Sequence, residues 1–399
     1  MGQEEEDEVR NFESSGNIVY NSTLDRNICE KELHSAIQKL KNNKSPGFDN
    51  ILNEFFKHGN TLMKNVILKL FNAIFNSGCF PKIWAIGEII PIHKKGDVND
   101  PRNYRGLTLL SCAAKLFTSI INNRLTEWAE DNKVFCEYQY GFRKQRGTTD
   151  CMFILHGIIN LLLNKSKPLF CSFVDLQKAF DGTNRRALWY KLNKNNISTK
   201  IINLIKNMYS KIKLCVKGSI IDKTPQSVDV SLSDSVDKDT DHVDDVNNDV
   251  YMNAFVDNAC FFTSIAGVFQ GESLSPFLFS MFLNDLNDNL KAIDDVGVKL
   301  DEWLMTLLLF ADDMVIFSET RAGLQKGLDL LEQYCLNWGL VVNVNKTKCV
   351  AFRNGGRLVL LDKWTYHGEE LETVNQYKYL GFVFGSSGKF SKGIDDLKC

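Results

Sequence analysis

The sequence predicts an α+β fold, because helical and strand patterns follow one another without the regular alternation that builds a parallel sheet. Amphipathic periodicity is clear in an early segment, where Leu33, Ile37 and Leu40 fall on one helical face. Short apolar runs bounded by turn residues, such as 304–310, are typical of buried strands. Hydrophobic residues make up 44% of the chain and charged residues 24%, which is typical of a soluble globular protein.

The N-terminal segment differs in composition from the rest of the chain. Residues 1–10 hold five acidic side chains against one base, Arg10. Because so polar a segment has little apolar surface to bury, we predict a flexible lead over 1–27.

Each further element follows from its periodicity and from the turn residues at its ends. Helices are predicted over 29–41, 61–75, 116–128, 151–163, 185–194, 198–211, 276–290 and 324–338. Strands are predicted over 84–93, 169–176, 304–310, 314–318 and 340–352. Breaking residues separate the first elements, with Pro46 and Gly47 after the first helix and Gly78 and Pro81 after the second.

A low-complexity segment at 224–258 is rich in Asp, Ser, Asn and Val, and we predict that it is a disordered, solvated insertion. Residues 225–260 contain nine Asp and one base, Lys238. Without that segment, the net charge of −2 becomes +6. The remaining body is therefore mildly basic, which permits a phosphate-rich partner.

The cysteines and the apolar runs exclude several classes of protein. The eleven cysteines are scattered without a CxxC pair, which disfavours a zinc site and a disulfide framework. Reduced thiols in an intracellular compartment, the cytosol or the nucleus, fit this pattern better. The longest apolar runs, around 152–163 and 304–310, are too short to span a bilayer, so no membrane segment is predicted.

Carboxylates stand at the ends of two apolar runs. Asp175 ends one strand, and Asp312 and Asp313 lie at the tip of a hairpin. Three such carboxylates on neighbouring strand ends would suit two Mg²⁺ ions for an in-line phosphoryl displacement. Taken alone, Asp312 and Asp313 also fit an ordinary hairpin turn, since Asp favours turns.

The order of the motifs is more specific than any one of them. Nine segments follow each other in this order: 44–49 (KSPGFD), 90–97 (IPIHKKGD), 103–106 (NYRG), 140–143 (YGFR), 175–181 (DLQKAFD), 267–276 (GVFQGESLSP), 310–313 (FADD), 343–347 (NVNKT) and 379–381 (YLG). Together they resemble the reverse transcriptases of non-LTR (LINE-type) retrotransposons, from about Lys44 to Gly385. The sequence departs from the family pattern at Phe269, where a small residue or Pro is common, and in the acidic insertion.

The resemblance implies a right-hand polymerase with an antiparallel palm sheet backed by helices and with its thumb largely missing. Residues 28–168 would form an N-terminal extension and the fingers, and 169–399 the palm with the start of the primer grip. The implied activity is RNA-directed DNA polymerisation, in which a primer 3′-hydroxyl attacks a dNTP. The implied partners are an RNA template, a DNA primer and dNTPs, while the oligomeric state stays open.

The resemblance also implies a role for each matching residue. Asp175, Asp312 and Asp313 would bind two Mg²⁺ ions, with Mn²⁺ as a substitute, and Lys346 would protonate pyrophosphate or cap a turn. The triphosphate would be held by Lys94, Lys95 and Arg105. Arg105 and Arg143 would also contact the template–primer. Phe180 would exclude a ribose 2′-hydroxyl, Gln270 and Gly271 would line the nucleotide pocket, and Tyr379, Leu380 and Gly381 would begin the primer grip.

Two other interpretations of the same residues remain. One is a catalytically inactive retroelement relic that only binds nucleic acid, against which the intact acid triad stands. The other is an RNA-dependent RNA polymerase, against which Phe180 stands.

Overall fold

The computed structural model describes residues 2–16, 18–216, 261–264, 266–269, 271–355 and 362–388. Its helices are α1 (Gln3–Ser15), α2 (Ser22–Asp25), α3 (Glu30–Lys39), α4 (Asn53–His58), α5 (Thr61–Ser77), α6 (Cys112–Asp131), α7 (Thr148–Asn164), α8 (Ala179–Gly182), α9 (Arg185–Lys194), α10 (Thr199–Lys211), α11 (Ser275–Phe282), α12 (Leu286–Lys291) and α13 (Arg321–Trp338), with 3-10 turns at Lys82–Ala85 and Pro101–Asn103. Its strands are β1 (Ile86–His93), β2 (Tyr104–Leu109), β3 (Leu169–Val174), β4 (Lys213–Val216), β5 (Val298–Leu300), β6 (Trp303–Met305), β7 (Leu307–Phe310), β8 (Asp313–Ser318), β9 (Lys348–Phe352), β10 (Trp364–Tyr366), β11 (Glu369–Thr373), β12 (Gln376–Tyr379) and β13 (Phe382–Gly385). The predicted mixed α+β class is confirmed.

A six-stranded sheet forms the centre of the fold, in the order β10-β11-β9-β3-β8-β7. β3 pairs antiparallel with both β8 and β9, and every residue of β3 is buried. An apolar strand of this kind belongs in the interior of a sheet, since both of its faces must be covered.

The two faces of this sheet pack against different layers. On one face, Cys171 and Phe173 join a cluster with α7 and the β12–β13 hairpin. On the other face, Phe170 and Val174 join the larger cluster, to which α6, α9, α11 and α13 contribute. The alternation of side chains along β3 therefore divides the core into two halves.

A smaller three-stranded sheet lies at the N-terminal side of the chain. β1 pairs antiparallel with β2 and parallel with β4. Because Glu88–Leu109 and His93–Tyr104 are paired positions, the turn at 94–97 and the start of β2 lie at the same end of this sheet.

Two predicted elements differ from the structure for identifiable reasons. The helix predicted over 276–290 is split into α11 and α12, and in the gap between them the Asn284 side chain accepts from the backbone N–H of Cys136 and donates to the carbonyl of Val134. The strand predicted over 340–352 begins only at Lys348, because residues 343–347 form a turn bonded to the end of β3.

The flexible lead predicted over 1–27 requires a correction. Residues 3–15 form α1, which packs Val9 fully out of solvent. Arg186 on α9 forms ion pairs with Glu6 (2.8 Å) and Glu13 (2.7 Å), and Phe12 packs edge-on against Tyr190. Among the acids that suggested mobility, Glu6 and Glu8 have an arginine and a tyrosine hydroxyl of α9 as partners, which composition alone does not reveal.

The acidic insertion predicted at 224–258 lies outside the described residues. No helix in the described ranges is both long and apolar enough to cross a bilayer. The nine cysteines within those ranges are not joined in disulfides.

Candidate active site

Strand register brings the predicted carboxylates to one edge of the central sheet. Val174 of β3 is paired with Met314 of β8, so the next position along each strand places Asp175 beside Asp313. Asp312 lies in the tight turn between β7 and β8, where Phe310 is paired with Asp313. Three acids that are far apart in sequence therefore meet at adjacent strand ends.

The backbone of the acidic turn is held in an unusual conformation. Ala311 has a φ of 60°, a left-handed value that is costly for a residue with a Cβ. The amide oxygen of the buried Gln139 side chain accepts hydrogen bonds from the backbone N–H groups of Ala311 (3.2 Å) and Gly141 (2.8 Å). A Cβ at Gly141 would collide with the backbone nitrogen of Ala311, so only glycine fits there.

The segment around Gln139 is attached to the hairpin by main-chain bonds as well. The Tyr140 N–H donates to the carbonyl of Leu309 (2.7 Å), and the Leu309 N–H donates to the carbonyl of Tyr138 (2.9 Å). Residues 138–141 thus pair with β7 at the edge of the sheet and support the turn between β7 and β8.

The electrostatics of this edge favour a cation. Burial, together with the neighbouring carboxylates of Asp312 and Asp175, raises the pKa of Asp313 to about 6. Within the described residues, no three Asp, Glu, His or Cys side chains already surround a position for a metal ion. The donor set still suits a hard cation, because it consists of carboxylate oxygens whose mutual repulsion a bound cation would relieve.

Lys346 lies at this edge of the sheet. Its Nζ is 3.5 Å from the Oδ2 of Asp175, and about two thirds of its side chain is exposed. The backbone around it is fixed, since the Asn343 N–H donates to the Asp175 carbonyl (2.8 Å) and the Asp175 N–H donates to the Thr347 hydroxyl (3.2 Å). Residues 343–347 therefore hold a mobile ammonium group beside the carboxylates.

Phe180 lies in α8, five residues after Asp175, and is half-buried. Its ring stacks on Phe279 at 4.7 Å and meets Phe142 edge-on at 6.5 Å. The Phe180 carbonyl accepts a hydrogen bond from the N–H of Val268 (2.8 Å), which fixes the motif at 267–276 against α8. Phe279 thus supports one face of the Phe180 ring, while part of that ring remains exposed to solvent.

The glycine of the 267–276 motif approaches the three-stranded sheet. Gly271 has a φ of 100°, and a Cβ there would lie 3.1 Å from the Thr108 carbonyl of β2. Gln270 lies outside the described residues. Phe269, where the sequence departs from the family pattern, has a structural role. Its ring stacks on Tyr209 at 5.3 Å and lies under the guanidinium of Arg185.

The predicted phosphate-binding bases lie on the three-stranded sheet. Lys94 and Lys95 are exposed in the turn after β1, which the bond from the Lys94 N–H to the Asn103 carbonyl (2.9 Å) closes. The backbone of Arg105 is paired with Ile92, while its side chain lies outside what the structure describes. All three bases therefore belong to this sheet or to the turn that joins its strands, and Gly271 approaches the same sheet.

Arg143, expected to contact nucleic acid, requires a correction. Its guanidinium is buried and forms a two-point ion pair with Glu130, at 2.8 and 2.5 Å. The Nη1 group donates to the carbonyls of Cys136 and Gln139. Because each of its three nitrogens donates to a partner within the protein, this guanidinium braces the 136–143 loop and is not a phosphate ligand.

Tyr379, Leu380 and Gly381 form the turn of the β12–β13 hairpin, with positive φ at Leu380 (48°) and Gly381 (90°). Tyr379 is buried against Phe173 of β3, at 5.5 Å between ring centroids. Its neighbour Tyr377, which the sequence did not single out, stacks on the same Phe173 at 4.3 Å. The hairpin is therefore packed onto the strand that carries Asp175.

The chain was compared with known proteins. Residues 92–384 match the model of the family described as reverse transcriptase (RNA-dependent DNA polymerase). The chain is 27% identical, over 93% of its length, to the RNA-directed DNA polymerase from mobile element jockey of Drosophila melanogaster, covering 36% of that protein. It is 26% identical, over 92% of its length, to the probable RNA-directed DNA polymerase from transposon X-element of the same species, again covering 36%.

A third relative is a retrovirus-related Pol polyprotein from a type-1 retrotransposable element R2 of Nasonia vitripennis, 25% identical over 82% of this chain and 29% of the relative. The chain spans about a third of the length of these relatives. They confirm the predicted resemblance to retrotransposon polymerases of the non-LTR type. Since the family match covers most of the chain and includes the carboxylate edge, the chain belongs to the reverse transcriptase (RNA-dependent DNA polymerase) family.

Proposed function

We propose that this chain carries the nucleotidyl-transfer site of an RNA-directed DNA polymerase that adds dNTPs to a primer 3′-hydroxyl on an RNA template. The observation that carries the proposal is the meeting of Asp175, Asp312 and Asp313 at adjacent strand ends in a chain of this family. The primer, the template and the dNTPs are the proposed partners.

The proposal assigns parts of a right-hand polymerase to the fold. The central sheet within 169–399 corresponds to the palm, and 28–168, with the β1–β2 hairpin, to the N-terminal extension and fingers. The β12–β13 hairpin, at Tyr379, Leu380 and Gly381, corresponds to the start of the primer grip. Its packing against β3 supports this assignment, because a primer end held there would lie near Asp175.

Asp175, Asp312 and Asp313 would hold two Mg²⁺ ions, or Mn²⁺ in their place. When bound, such ions stabilise charge on the attacking and leaving oxygens of an in-line displacement. The protein's own contribution is positional, since Gln139 fixes the acidic turn and residues 343–347 fix the end of β3. Lys346 would donate a proton or a positive charge to the departing pyrophosphate, and its position 3.5 Å from Asp175 supports this role.

The nucleotide would enter between the two sheets. Lys94, Lys95 and Arg105 would hold its triphosphate, and Gln270 and Gly271 would line its pocket, with the bare backbone of Gly271 allowing close approach. Phe180 would lie against the sugar and exclude a 2′-hydroxyl, and its stacking on Phe279 supports this role because the ring cannot retreat.

Primer extension on an RNA template with Mg²⁺ tests the proposal. We expect extension by the wild-type chain, and a loss on the order of 10³-fold for Asp312→Asn, because one ligand and its charge are removed. Asp301→Asn is a matched control, since Asp301 is exposed in the turn between β5 and β6.

Three outcomes separate the proposal from its alternatives. Template binding without extension in the wild type would favour an inactive relic. Preferential use of NTPs would favour an RNA polymerase. Normal extension by Asp312→Asn would exclude the carboxylate site itself.

A further inference from the structure

A buried carboxyl, that of Glu272, directly follows Gly271 in the 267–276 motif, and no role described so far uses it. Only 4% of Glu272 is exposed. Its side chain enters a small hollow that is lined by α6, by Trp84 and by Met208 and Ile212. Acidic side chains are seldom so deeply buried unless specific contacts hold them, so the contacts of this one indicate what it does.

The Glu272 carboxyl closes the loop that leads into α11. Its Oε2 accepts hydrogen bonds from the backbone N–H of Leu274 (2.7 Å) and from the hydroxyl of Ser275 (3.3 Å). The backbone N–H of Glu272 donates to the carbonyl of Phe269, at 3.3 Å. The residues on both sides of Gly271 are therefore connected to each other through Glu272.

The motif is also attached to the rest of the fold at both of its ends. At the first end, the guanidinium of Arg185 donates to the carbonyls of Ser264 (2.6 Å) and Gly267 (2.9 Å). At the other end, the Ser275 hydroxyl lies 3.4 Å from the hydroxyl of Tyr209 on α10. Gly271 lies between these two attachments, so its position depends on the bonds that Glu272 makes inside the loop.

Gly271 and Glu272 meet two successive elements of the chain. A Cβ at Gly271 would lie 3.1 Å from the carbonyl of Thr108 on β2, the strand that also carries Arg105. Glu272 reaches the hollow beside Lys115 on α6, the helix that follows β2 after two residues. The carboxyl therefore fixes the distance between the 267–276 motif and the strand proposed to hold the triphosphate.

We propose that Glu272 is a positioning residue for the incoming nucleotide, which holds Gly271 against β2 and so sets the affinity of the chain for a dNTP. This inference rests on the polymerase function proposed above. The carboxylate edge is fixed by other contacts, those of Gln139 and of residues 343–347. Loss of the Glu272 side chain should therefore weaken nucleotide binding and leave the rate of the chemical step nearly unchanged.

Single-turnover primer extension at varied dNTP concentration separates the two effects, because it gives the apparent Kd for the dNTP and the maximum rate. We expect Glu272→Ala to raise that Kd about tenfold, the size expected for the net loss of about one hydrogen bond. Its maximum rate and its affinity for the primer–template should stay close to those of the wild type.

The conservative variant tests whether the acceptor oxygen is what matters. Burial raises the pKa of the Glu272 carboxyl, so a negative charge is unfavourable at this place. Glu272→Gln keeps an acceptor oxygen at the same reach without that charge, and should bind the dNTP as the wild type does. Ser275→Ala removes one donor to the same carboxyl and should weaken dNTP binding to a smaller extent, which provides a second variant if Glu272→Ala fails to fold.

Thr320→Ala is the matched control for a general loss of stability. The Thr320 side chain accepts a hydrogen bond from the N–H of Gly323 (2.9 Å) at the start of α13. It follows the end of β8 that lies away from Asp313. Its replacement should lower the melting temperature without changing the Kd for the dNTP.

An unchanged Kd in Glu272→Ala, or in Ser275→Ala if the former does not fold, would overturn the positioning role and leave the polymerase proposal intact. Equal losses of affinity in Glu272→Ala, Glu272→Gln and Thr320→Ala would overturn it as well, because affinity would then follow stability alone. Absence of primer extension by the wild-type chain would overturn both proposals.

Discussion

The side-chain carbonyl of Gln139 accepts a hydrogen bond from the backbone N–H of Ala311, at 3.2 Å, and so supports the turn that carries Asp312 and Asp313. The same oxygen bonds Gly141, so a single buried side chain connects the 138–141 segment to the β7–β8 hairpin. An alanine with a left-handed backbone conformation is strained, and it persists only where surrounding contacts hold it in place. The hydrogen bond to Gln139 is such a contact.

Gln139→Leu should therefore lower kcat for primer extension by roughly 10²-fold, because a misplaced turn moves two carboxylates away from their working geometry. The measurement is steady-state extension alongside the melting temperature. Adding Ala311→Gly should recover part of the loss, since glycine adopts the positive φ without strain. A variant with full activity would contradict this role for Gln139.

Phe180→Val should admit ribonucleotides while leaving most dNTP use intact, because the expected discrimination is steric. The measurement is the ratio of kcat/KM for a dNTP and for the matching NTP. Phe282→Leu is the comparison, since Phe282 is fully buried with its ring against the Lys191 ammonium, and its loss should lower stability without changing that ratio. Equal loss of both activities by Phe180→Val, with a lower melting temperature, would mark Phe180 as core packing.

Arg124 should be a determinant of stability at the N-terminal side of the fold. Its buried guanidinium pairs with Glu32 and bonds the carbonyls of Leu24 (2.9 Å) and Arg26 (2.7 Å), so it connects α6 to the 24–32 segment. Arg124→Met removes the guanidinium from those carbonyls and from Glu32, which keeps its ion pair with Arg26 and its bond from the Cys29 N–H. The substitution should cost about 1–3 kcal/mol of unfolding free energy, because buried acceptors lose their donor.

Chemical denaturation measures the effect of Arg124→Met. Lys144→Met is the matched control, since it removes an exposed ion pair with Glu127 and should change stability little. If both substitutions lowered the free energy of unfolding equally, burial of the Arg124 ion pair would contribute no extra stability.

Lys191 should make stability depend on alkaline pH. Burial lowers its pKa to about 8, although Asp285 at 2.7 Å opposes the shift. In the unfolded chain the pKa of a lysine is about 10.4. Between the folded and the unfolded pKa, the unfolded state therefore binds more protons than the folded state. The free energy of unfolding contributed by Lys191 should therefore rise with pH across that interval.

The check compares wild type with Lys191→Met, which lacks the titrating group, by denaturation at about pH 7.5 and about pH 9.5. The stability of the wild type relative to the variant should increase between the two conditions. A decrease would mean that Asp285 and the rings of Tyr334 and Trp338 hold the ammonium charged beyond this interval.

The sequence was sufficient to predict the fold class and the segments of the candidate site, because apolar runs ending in acids mark strand ends. It was insufficient where a role depends on a partner distant in the chain. The support that Gln139 gives to Ala311 follows from the pairing of residues 138–141 beside β7, which no local pattern reveals. Likewise, Arg143 was misjudged because its partner Glu130 lies on a neighbouring helix.

The central position of β3 has a consequence for the synthesis of this protein. β3 ends at Val174, whereas its neighbours β8 and β9 begin at Asp313 and Lys348. At about 5–20 residues per second, the ribosome needs roughly 7–28 s to make the stretch of about 140 residues between β3 and β8. During that interval an apolar strand has neither edge paired, which is the condition under which nascent chains recruit chaperones or aggregate. The carboxylate edge can thus form only late in translation, after both halves of the sheet have left the exit tunnel.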